Sequence, residues 1–266
     1  MTNHWAVRNA KPWWLVVSAA LVLSGCSLLL RDTPTPIPIH TTVSGAAARD
    51  RTLVVFLPGR GGSVQDFEKH GMIRALRDAA IDVDTVAVDA HLNYYYKRTV
   101  IDRLKADVIQ PARDRGYGRI VVVGVSLGGL GALLYEREHP GQIDAIVLLA
   151  PYLGDKDSLF EAIAGAGGPG AWASGRDSRL GTIEEQLWTF LGNRWSTFPP
   201  TWLLAGQSDR LGQGHRVLAT LLPAERVKFI AGGHDWKTWQ ALWREVCLNS
   251  PLFAAEKALS GGKTVR

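Results

Sequence analysis

The sequence predicts an α/β domain built on a mostly parallel, doubly wound sheet, and three observations predict it. Apolar β-branched runs alternate with helix-periodic segments from about residue 50 to residue 250, the pattern of strand–helix–strand units that cover both faces of a sheet. Ile120 to Val123 are apolar at consecutive positions, as expected of a strand buried on both faces. That run leads directly into Gly124-Val125-Ser126-Leu127-Gly128 and a helix-forming stretch, which reads as a tight strand-to-helix turn with a serine at its tip.

The elements follow in order. Residues 1 to 25 form a leader with two cations, Arg8 and Lys11, and an apolar run from Trp13 to Val22 that is short for a membrane span. Leu23-Ser24-Gly25-Cys26 follows and resembles the lipobox of bacterial lipoproteins. The resemblance implies a signal peptide cut before Cys26, lipidation of Cys26, and a chain anchored in the bacterial cell envelope. Ser27 stands where an aspartate would retain some lipoproteins at the inner membrane, which favours the outer membrane where that sorting rule operates. Residues 26 to 50 read as a tether, because Thr33-Pro34-Thr35-Pro36-Ile37-Pro38-Ile39 cannot form helix and favours extended geometry. On that reading a chain starting near Thr41 keeps full activity. The alternative is that Ile37 to Val43 adds an edge strand.

The domain itself is assigned to residues 51 to 250. Thr52–Leu57, Asp82–Val88, Ile120–Val123, Ile143–Ala150, Thr201–Ala205 and Val227–Ile230 read as strands. Val64–Ala80, Thr99–Arg113, the run after Gly128, Arg216–Leu222 and Trp236–Cys247 read as helices. Residues 154 to 198 break the alternation with a Gly/Ala-rich run and a helix near Thr182–Leu191; an insertion after a strand is a natural cap over a site. Residues 251 to 266 read as a C-terminal tail, polar and frayed from residue 255.

Composition excludes several classes. Loss of the leader removes two cations and no anion, so the net charge falls from +5 to +3. That is too mild for nucleic-acid binding, and no basic stripe with interleaved aromatics is present. Of the two cysteines, Cys26 belongs to the lipobox, and Cys247 lies alone in an apolar helical pattern as a small buried hydrophobe.

The chemistry starts from Ser126. A glycine two residues before and after a serine at a sharp turn avoids β-carbon clashes, and the hydroxyl is then held at the carboxyl edge of the sheet. The five-residue pattern alone arises by chance in about one chain of this length in ten, so its context carries the weight. A serine nucleophile needs a base, and the base needs an orienting acid. Of seven histidines, His4 is in the leader, His40 in the tether, His139 at a helix C-terminus, and His70 and His215 in or beside helices. His234 lies just past a strand in Ala231-Gly232-Gly233-His234-Asp235-Trp236, where paired glycines let the loop turn back over the sheet edge. Asp209, four residues past the strand Thr201–Ala205, is the candidate acid; Asp155 and Asp157 after the preceding strand are its competitors, and Asp235 reads as a helix N-cap. The oxyanion donors are the backbone N–H of Leu127 and, from the loop Leu57-Pro58-Gly59-Arg60-Gly61-Gly62-Ser63, that of Arg60. His91, Tyr95 and Tyr152 are candidate substrate-lining residues at strand ends, while the i, i+3, i+7 spacing of Trp236, Trp239 and Trp243 marks a core-facing stripe.

The order Ser126, Asp209, His234, with the glycine loop upstream, resembles the α/β-hydrolase family over about residues 50 to 250. The ending Gly232 to Trp239 is similar to that of the compact esterases of this family. Many members carry His-Gly before the oxyanion residue, where this chain has Pro58-Gly59. The resemblance implies a minimal version of the fold with a cap insertion, and a serine hydrolase that cleaves a carboxylic ester with no metal or organic cofactor. Its partners are then a small-molecule or lipid ester and, through the anchor, a membrane. Thioesterase, peptidase, amidase and acyltransferase chemistry share the machinery, and a non-catalytic envelope lipoprotein on the same fold is the alternative of a different class.

Overall fold

The computed structural model describes residues 31–43 and 49–261. The leader and Cys26 lie outside the described residues. The chain runs β1 (Ile39–Thr42), β2 (Thr52–Leu57), α1 (Asp66–Lys69), α2 (Met72–Asp78), β3 (Asp84–Val88), α3 (Leu92–Tyr96), α4 (Val100–Leu104), α5 (Gln110–Asp114), β4 (Arg119–Val125), α6 (Leu127–Glu138), β5 (Ala145–Leu149), α7 (Asp157–Gly165), α8 (Pro169–Ala173), α9 (Ile183–Arg194), β6 (Thr201–Gly206), α10 (Gly212–Ala219), β7 (Val227–Ile230), α11 (Trp236–Asn249) and α12 (Ala254–Gly261).

The sheet has seven strands in the order β1-β3-β2-β4-β5-β6-β7. β1 pairs antiparallel with β3, and every other pairing is parallel. Successive strand residues point to opposite faces, so the continuous apolar runs feed two cores. Val55, Ile120, Val122, Ile146 and Leu148 join one with α4, α6 and α9. Val54, Val121, Val123, Val147 and Leu204 join the other with α2 and α11. Each such fully buried aliphatic side chain stabilises the fold by about 1.5–3 kcal/mol relative to exposure, which is why alternation is unnecessary here. Trp239 and Trp243 lie in the second core with Cys247, while Trp236 is partly buried at its margin.

Two predicted helices are interrupted. The segment 64–80 breaks at Gly71, whose φ of 66° lies in the left-handed region and ends one helix before the next begins. Between α4 and α5 the chain makes a π turn, Lys105–Ile109. Pro111 lacks the N–H an α-helix would donate to the carbonyl of Asp107, and its ring would clash there, so the wider turn accommodates it.

Both ends of the domain differ from the sequence reading. The described part of the tether does not hang free. Ile37 is buried, its N–H donates to Asp107 Oδ2 at 2.8 Å, and β1 is the edge strand of the alternative reading. The prolines cannot donate from their nitrogens, but the carbonyls of this stretch can accept. Donors from α3 and its flanks reach them: His91 Nε2 to Asp32 O at 2.9 Å, Asn93 Nδ2 to Arg31 O at 2.7 Å, and Tyr94 Oη to Pro34 O at 2.8 Å. At the other end, the C-terminal tail buries Leu252 and Phe253, and within the stretch read as frayed α12 buries Glu256. A buried carboxylate needs partners; Glu256 Oε1 accepts from Thr52 Oγ1 and Arg119 Nη1, both at 2.7 Å. Residues 251–257 thus close the amino-terminal edge of β2 and β4.

The insertion forms α7, α8 and α9. A capping box between Thr182 and Glu185 starts α9, and the Trp188 indole N–H donates to Leu153 O at 3.0 Å. The insertion packs α9 against α6 and α7 against α10. Among the described residues no helix is long and apolar enough to cross a membrane.

Candidate active site

The site is built at the carboxyl end of β4. Ser126 has φ 50° and ψ −111°, a left-handed conformation that costs a non-glycine residue about 1–3 kcal/mol. Its surroundings hold it there. Ser126 N–H donates to Leu149 O, and Ser126 O accepts from the N–H groups of Gly129 and Tyr152, all at 2.9 Å. The glycine spacing follows from contact. A β-carbon on Gly124 would stand 2.6 Å from the Gly128 carbonyl carbon, and one on Gly128 would run into the Leu57 carbonyl oxygen. The elbow is therefore pressed against both the helix it starts and the strand beside it.

Two further loops meet the serine. Gly206 ends β6, and a β-carbon there would collide with the Gly232 carbonyl after β7. That close approach lets Gln207 N–H donate to Ile230 O at 2.8 Å and Ser208 N–H to Gly232 O at 2.9 Å. The loop carrying Asp209 is thereby joined to the loop carrying His234. His234 Nδ1 lies 3.0 Å from Asp209 Oδ1 and 2.8 Å from Oδ2, and His234 Nε2 lies 2.9 Å from Ser126 Oγ. The carboxylate can only accept, so Nδ1 carries the proton and the Nε2 lone pair faces the Ser126 hydroxyl. The Trp239 ring stands edge-on to the imidazole, centroids 5.0 Å apart.

The Asp209 side chain is wholly buried, whereas that of His234 is 12 % exposed. Burial alone would raise the Asp209 carboxyl pKa. Hydrogen bonds from His234 and from the Leu211 N–H at 2.8 Å outweigh it and hold the carboxyl below the ordinary carboxylate range. The competitors are elsewhere: Asp155 and Asp157 are exposed at the start of the insertion, and Asp235 caps α11 by accepting from Thr238 N–H at 2.9 Å.

The two segments expected to carry the oxyanion donors flank Ser126. Leu127 opens α6, so its N–H has no acceptor within the helix. Across the gap, a β-carbon on Gly59 would be 3.4 Å from Ser126 Cβ, which places the loop 58–63 beside Ser126. Gly62 N–H closes that loop onto Gly59 O at 3.0 Å.

Of the three substrate-lining candidates, only Tyr152 is at the site. Its N–H contacts Ser126 and its hydroxyl donates to Glu184 Oε1 of α9 at 3.2 Å. Burial, then the Glu184 and Asp155 charges, push its pKa up to about 12. A cleft of about 310 Å³ lies between the start of the insertion and α9, lined by Gly154, Leu159, Trp172, Arg176 and by Glu184, the partner of Tyr152. His91 and Tyr95 are corrected to structural roles. His91 is buried, its Nε2–H serves Asp32 O, and its Nδ1 accepts from Asn93 N–H as the cap of α3. Tyr95 packs its hydroxyl against Gly131 of α6. A cluster of aromatic residues after a strand suits a substrate wall or a packed loop equally, and the proline-rich segment decided between them. His215 was not singled out by the sequence. It is fully buried, hydrogen-bonded through Nε2 to Pro151 O at 2.9 Å, and burial lowers its pKa. Its only sequence signal is its place on the buried face of α10. Among the described residues no group of three or more His, Cys, Asp or Glu side chains could hold a metal ion.

Several solved structures share this fold. S-formylglutathione hydrolase FrmB from Staphylococcus aureus superposes with a TM-score of 0.58 at 15% identity, over 82% of this chain and 95% of that one. Est1E from Butyrivibrio proteoclasticus gives 0.53 at 14% identity, covering 85% and 97%. Staphylococcus aureus FphF, a fluorophosphonate-binding serine hydrolase with substrate bound, gives 0.50 at 16% identity, covering 82% and 95%. No curated protein matches the chain. The sheet order, the elbow and the loop positions are those of an α/β-hydrolase, and residues 21–245 match the Esterase family, described as "Putative esterase", to which this chain belongs.

Proposed function

We propose that this chain is a serine esterase that cleaves a carboxylic ester through an acyl-enzyme on Ser126. The unbroken line from Ser126 Oγ to His234 Nε2 and from His234 Nδ1 to Asp209 carries the reading. Ser126 Oγ attacks the ester carbonyl carbon while His234 Nε2 takes its proton. The tetrahedral oxyanion receives hydrogen bonds from the Leu127 and Arg60 N–H groups. Collapse breaks the bond to the alcohol oxygen, which takes the proton back from His234. Water then attacks the acyl-enzyme with His234 again as base, and the carboxylic acid leaves with Ser126 restored. Tyr152 is hydrogen-bonded to Glu184, a lining residue of the neighbouring cleft, and that cleft would offer room for one arm of the substrate.

The test is a series of p-nitrophenyl esters of graded acyl length, run beside labelling with a fluorophosphonate probe. Turnover and labelling are expected in the wild type, and neither in Ser126→Ala. Absence of both in the wild type would favour a non-catalytic binding lipoprotein, and turnover confined to thioesters or amides would move the substrate class.

We further propose that the enzyme is anchored by lipid on Cys26 in the bacterial envelope, at the outer membrane rather than the inner. The sequence Leu23-Ser24-Gly25-Cys26 supports this reading. Because Arg31 is already seated on the domain, only four residues, or five steps of the chain, separate it from Cys26. At about 3.3–3.6 Å per residue the reach is at most about 18 Å, so the active site works close to the membrane surface. Membrane fractionation and mass spectrometry of the N-terminus test this; a Cys26→Ala chain that fractionates and matures like the wild type would overturn it.

A further inference from the structure

We infer that Arg31 is a positioning residue for the oxyanion hole, acting through the glycine loop from a segment that looks like a linker. This rests on the reading of Arg60 N–H as an oxyanion donor. Arg31 is thirty-one positions from the loop in sequence, yet its Nη1 donates to Gly62 O at 3.1 Å. Its Nη2 is fixed on Asp89 at the end of β3, 2.8 Å from Oδ1 and 2.6 Å from Oδ2. The backbone on either side is pinned as well: Arg31 O accepts from Asn93, Asp32 O from His91, and Asp89 N–H donates to Pro38 O at 2.8 Å. The guanidinium is thus a fixed post and not a wandering surface charge.

Its effect on the site follows from peptide geometry. Arg31 holds the carbonyl of Gly62. The N–H of Gly62 holds the carbonyl of Gly59 at 3.0 Å, and the next N–H, that of Ser63, is held by Asp66 Oδ2 at 2.7 Å. The Gly59 carbonyl and the Arg60 N–H belong to one planar peptide unit and point in opposite directions. Fixing the carbonyl therefore aims the N–H. Residues 59, 61 and 62 are glycines, which leave the backbone free to rotate and carry no side chain to hold it. The loop is tight, as a β-carbon on Gly62 would stand 3.0 Å from Pro58 Cβ, but its outer carbonyl needs an external donor. Arginine suits the position because one planar fork serves a carboxylate with one nitrogen and a carbonyl with the other.

The test uses the full chain and compares Arg31→Ala with Tyr94→Phe. The second variant removes the hydrogen bond to Pro34 O and loosens the same segment without touching the loop. Arg31→Ala is expected to lower kcat on a short p-nitrophenyl ester by about tenfold or more, short of the 10²–10³-fold seen when a donor is removed outright, with KM changed less than about threefold. Methylguanidinium in the buffer should restore part of the loss. Arg31→Lys, which can serve Gly62 O or Asp89 but not both, should fall between. Tyr94→Phe should keep wild-type kcat even if its melting temperature drops. The proposal is overturned if Arg31→Ala keeps kcat within twofold of an active wild type. It is also overturned if kcat falls only in step with stability in both variants. A wild type that turns over no ester at all would instead remove the functional reading, and this inference with it.

Discussion

Asp209 Oδ2 and His234 Nδ1 lie 2.8 Å apart, with the aspartate side chain wholly buried and the imidazole reaching Ser126 on its far side. The pair holds one tautomer in place, since only a carboxylate accepts from Nδ1–H at both oxygens. Asp209→Asn would offer an amide N–H to that nitrogen and favour the tautomer with Nε2 protonated, which cannot take the serine proton. The expected loss in kcat is about 10⁴-fold with folding intact, by analogy with other Ser-His-Asp triads. Asp155→Asn and Asp157→Asn, at exposed positions, should stay near wild type. Steady-state kinetics of the three variants checks this, and the reverse ranking would move the acid to the end of β5.

The same carboxylate makes stability depend on pH. Its folded pKa is depressed: burial opposes ionisation, but the His234 and Leu211 hydrogen bonds prevail. A group with a lowered folded pKa contributes stability above its unfolded pKa, about 3.9 for aspartate, and loses it as pH falls through the folded value. Thermal melts should therefore show Asp209 stabilising the wild type near neutral pH, with the contribution fading below about pH 4. In Asp209→Asn that part of the acid sensitivity should be missing; an unchanged acid limb would assign the sensitivity to other carboxylates.

Ser126 holds a strained backbone conformation. A φ of 50° with ψ of −111° is accessible to glycine at little steric cost. Ser126→Gly should thus be inactive yet at least as stable as Ser126→Ala, and Gly should lead by up to about 1–2 kcal/mol if the strain is of ordinary size. Differential scanning calorimetry on the two dead variants isolates the backbone contribution, because both lack the hydroxyl. An alanine variant clearly more stable than the glycine variant would show that the elbow is not strained.

Where the signal is local, the sequence shows it. Ile120 to Val123 announces the central strand because both faces are covered, and Gly124 and Gly128 bracket Ser126 because their missing β-carbons let the strand close on the start of α6 and the elbow close on Leu57. His234 is marked by paired glycines after a strand. What escapes is carried by contacts between distant residues. Proline-rich composition reports that residues 33–39 cannot donate hydrogen bonds regularly, and is silent about the carbonyls of Arg31, Asp32 and Pro34, which Asn93, His91 and Tyr94 recruit from about sixty residues away. Glu256 looks like a solvated tail residue until Thr52 and Arg119 are seen on it. Tyr95 reads as a wall because nothing in the sequence says that Gly131 leaves room for its ring.

The proline-rich segment supplies the last prediction. As a free tether it would be dispensable, and a chain starting near Thr41 would match the full protein in stability and activity. The structure argues otherwise. Ile37 is 2 % exposed and packs in the same core as Val86, Val88 and Tyr94. Ile37→Ala should cost about 2–5 kcal/mol, the usual range for a large-to-small change in a core. Removal of residues up to His40 deletes that side chain, half of β1 and the Arg31 post at once. The truncated chain should melt well below the full one and lose turnover at temperatures where it remains folded, because the glycine loop has lost its outer support. Parallel melting curves and ester kinetics on both chains decide the matter. Equal melting temperatures and equal kcat would restore the tether, whereas equal kcat on a less stable chain would leave Ile37 as an anchor and relieve Arg31 of its role.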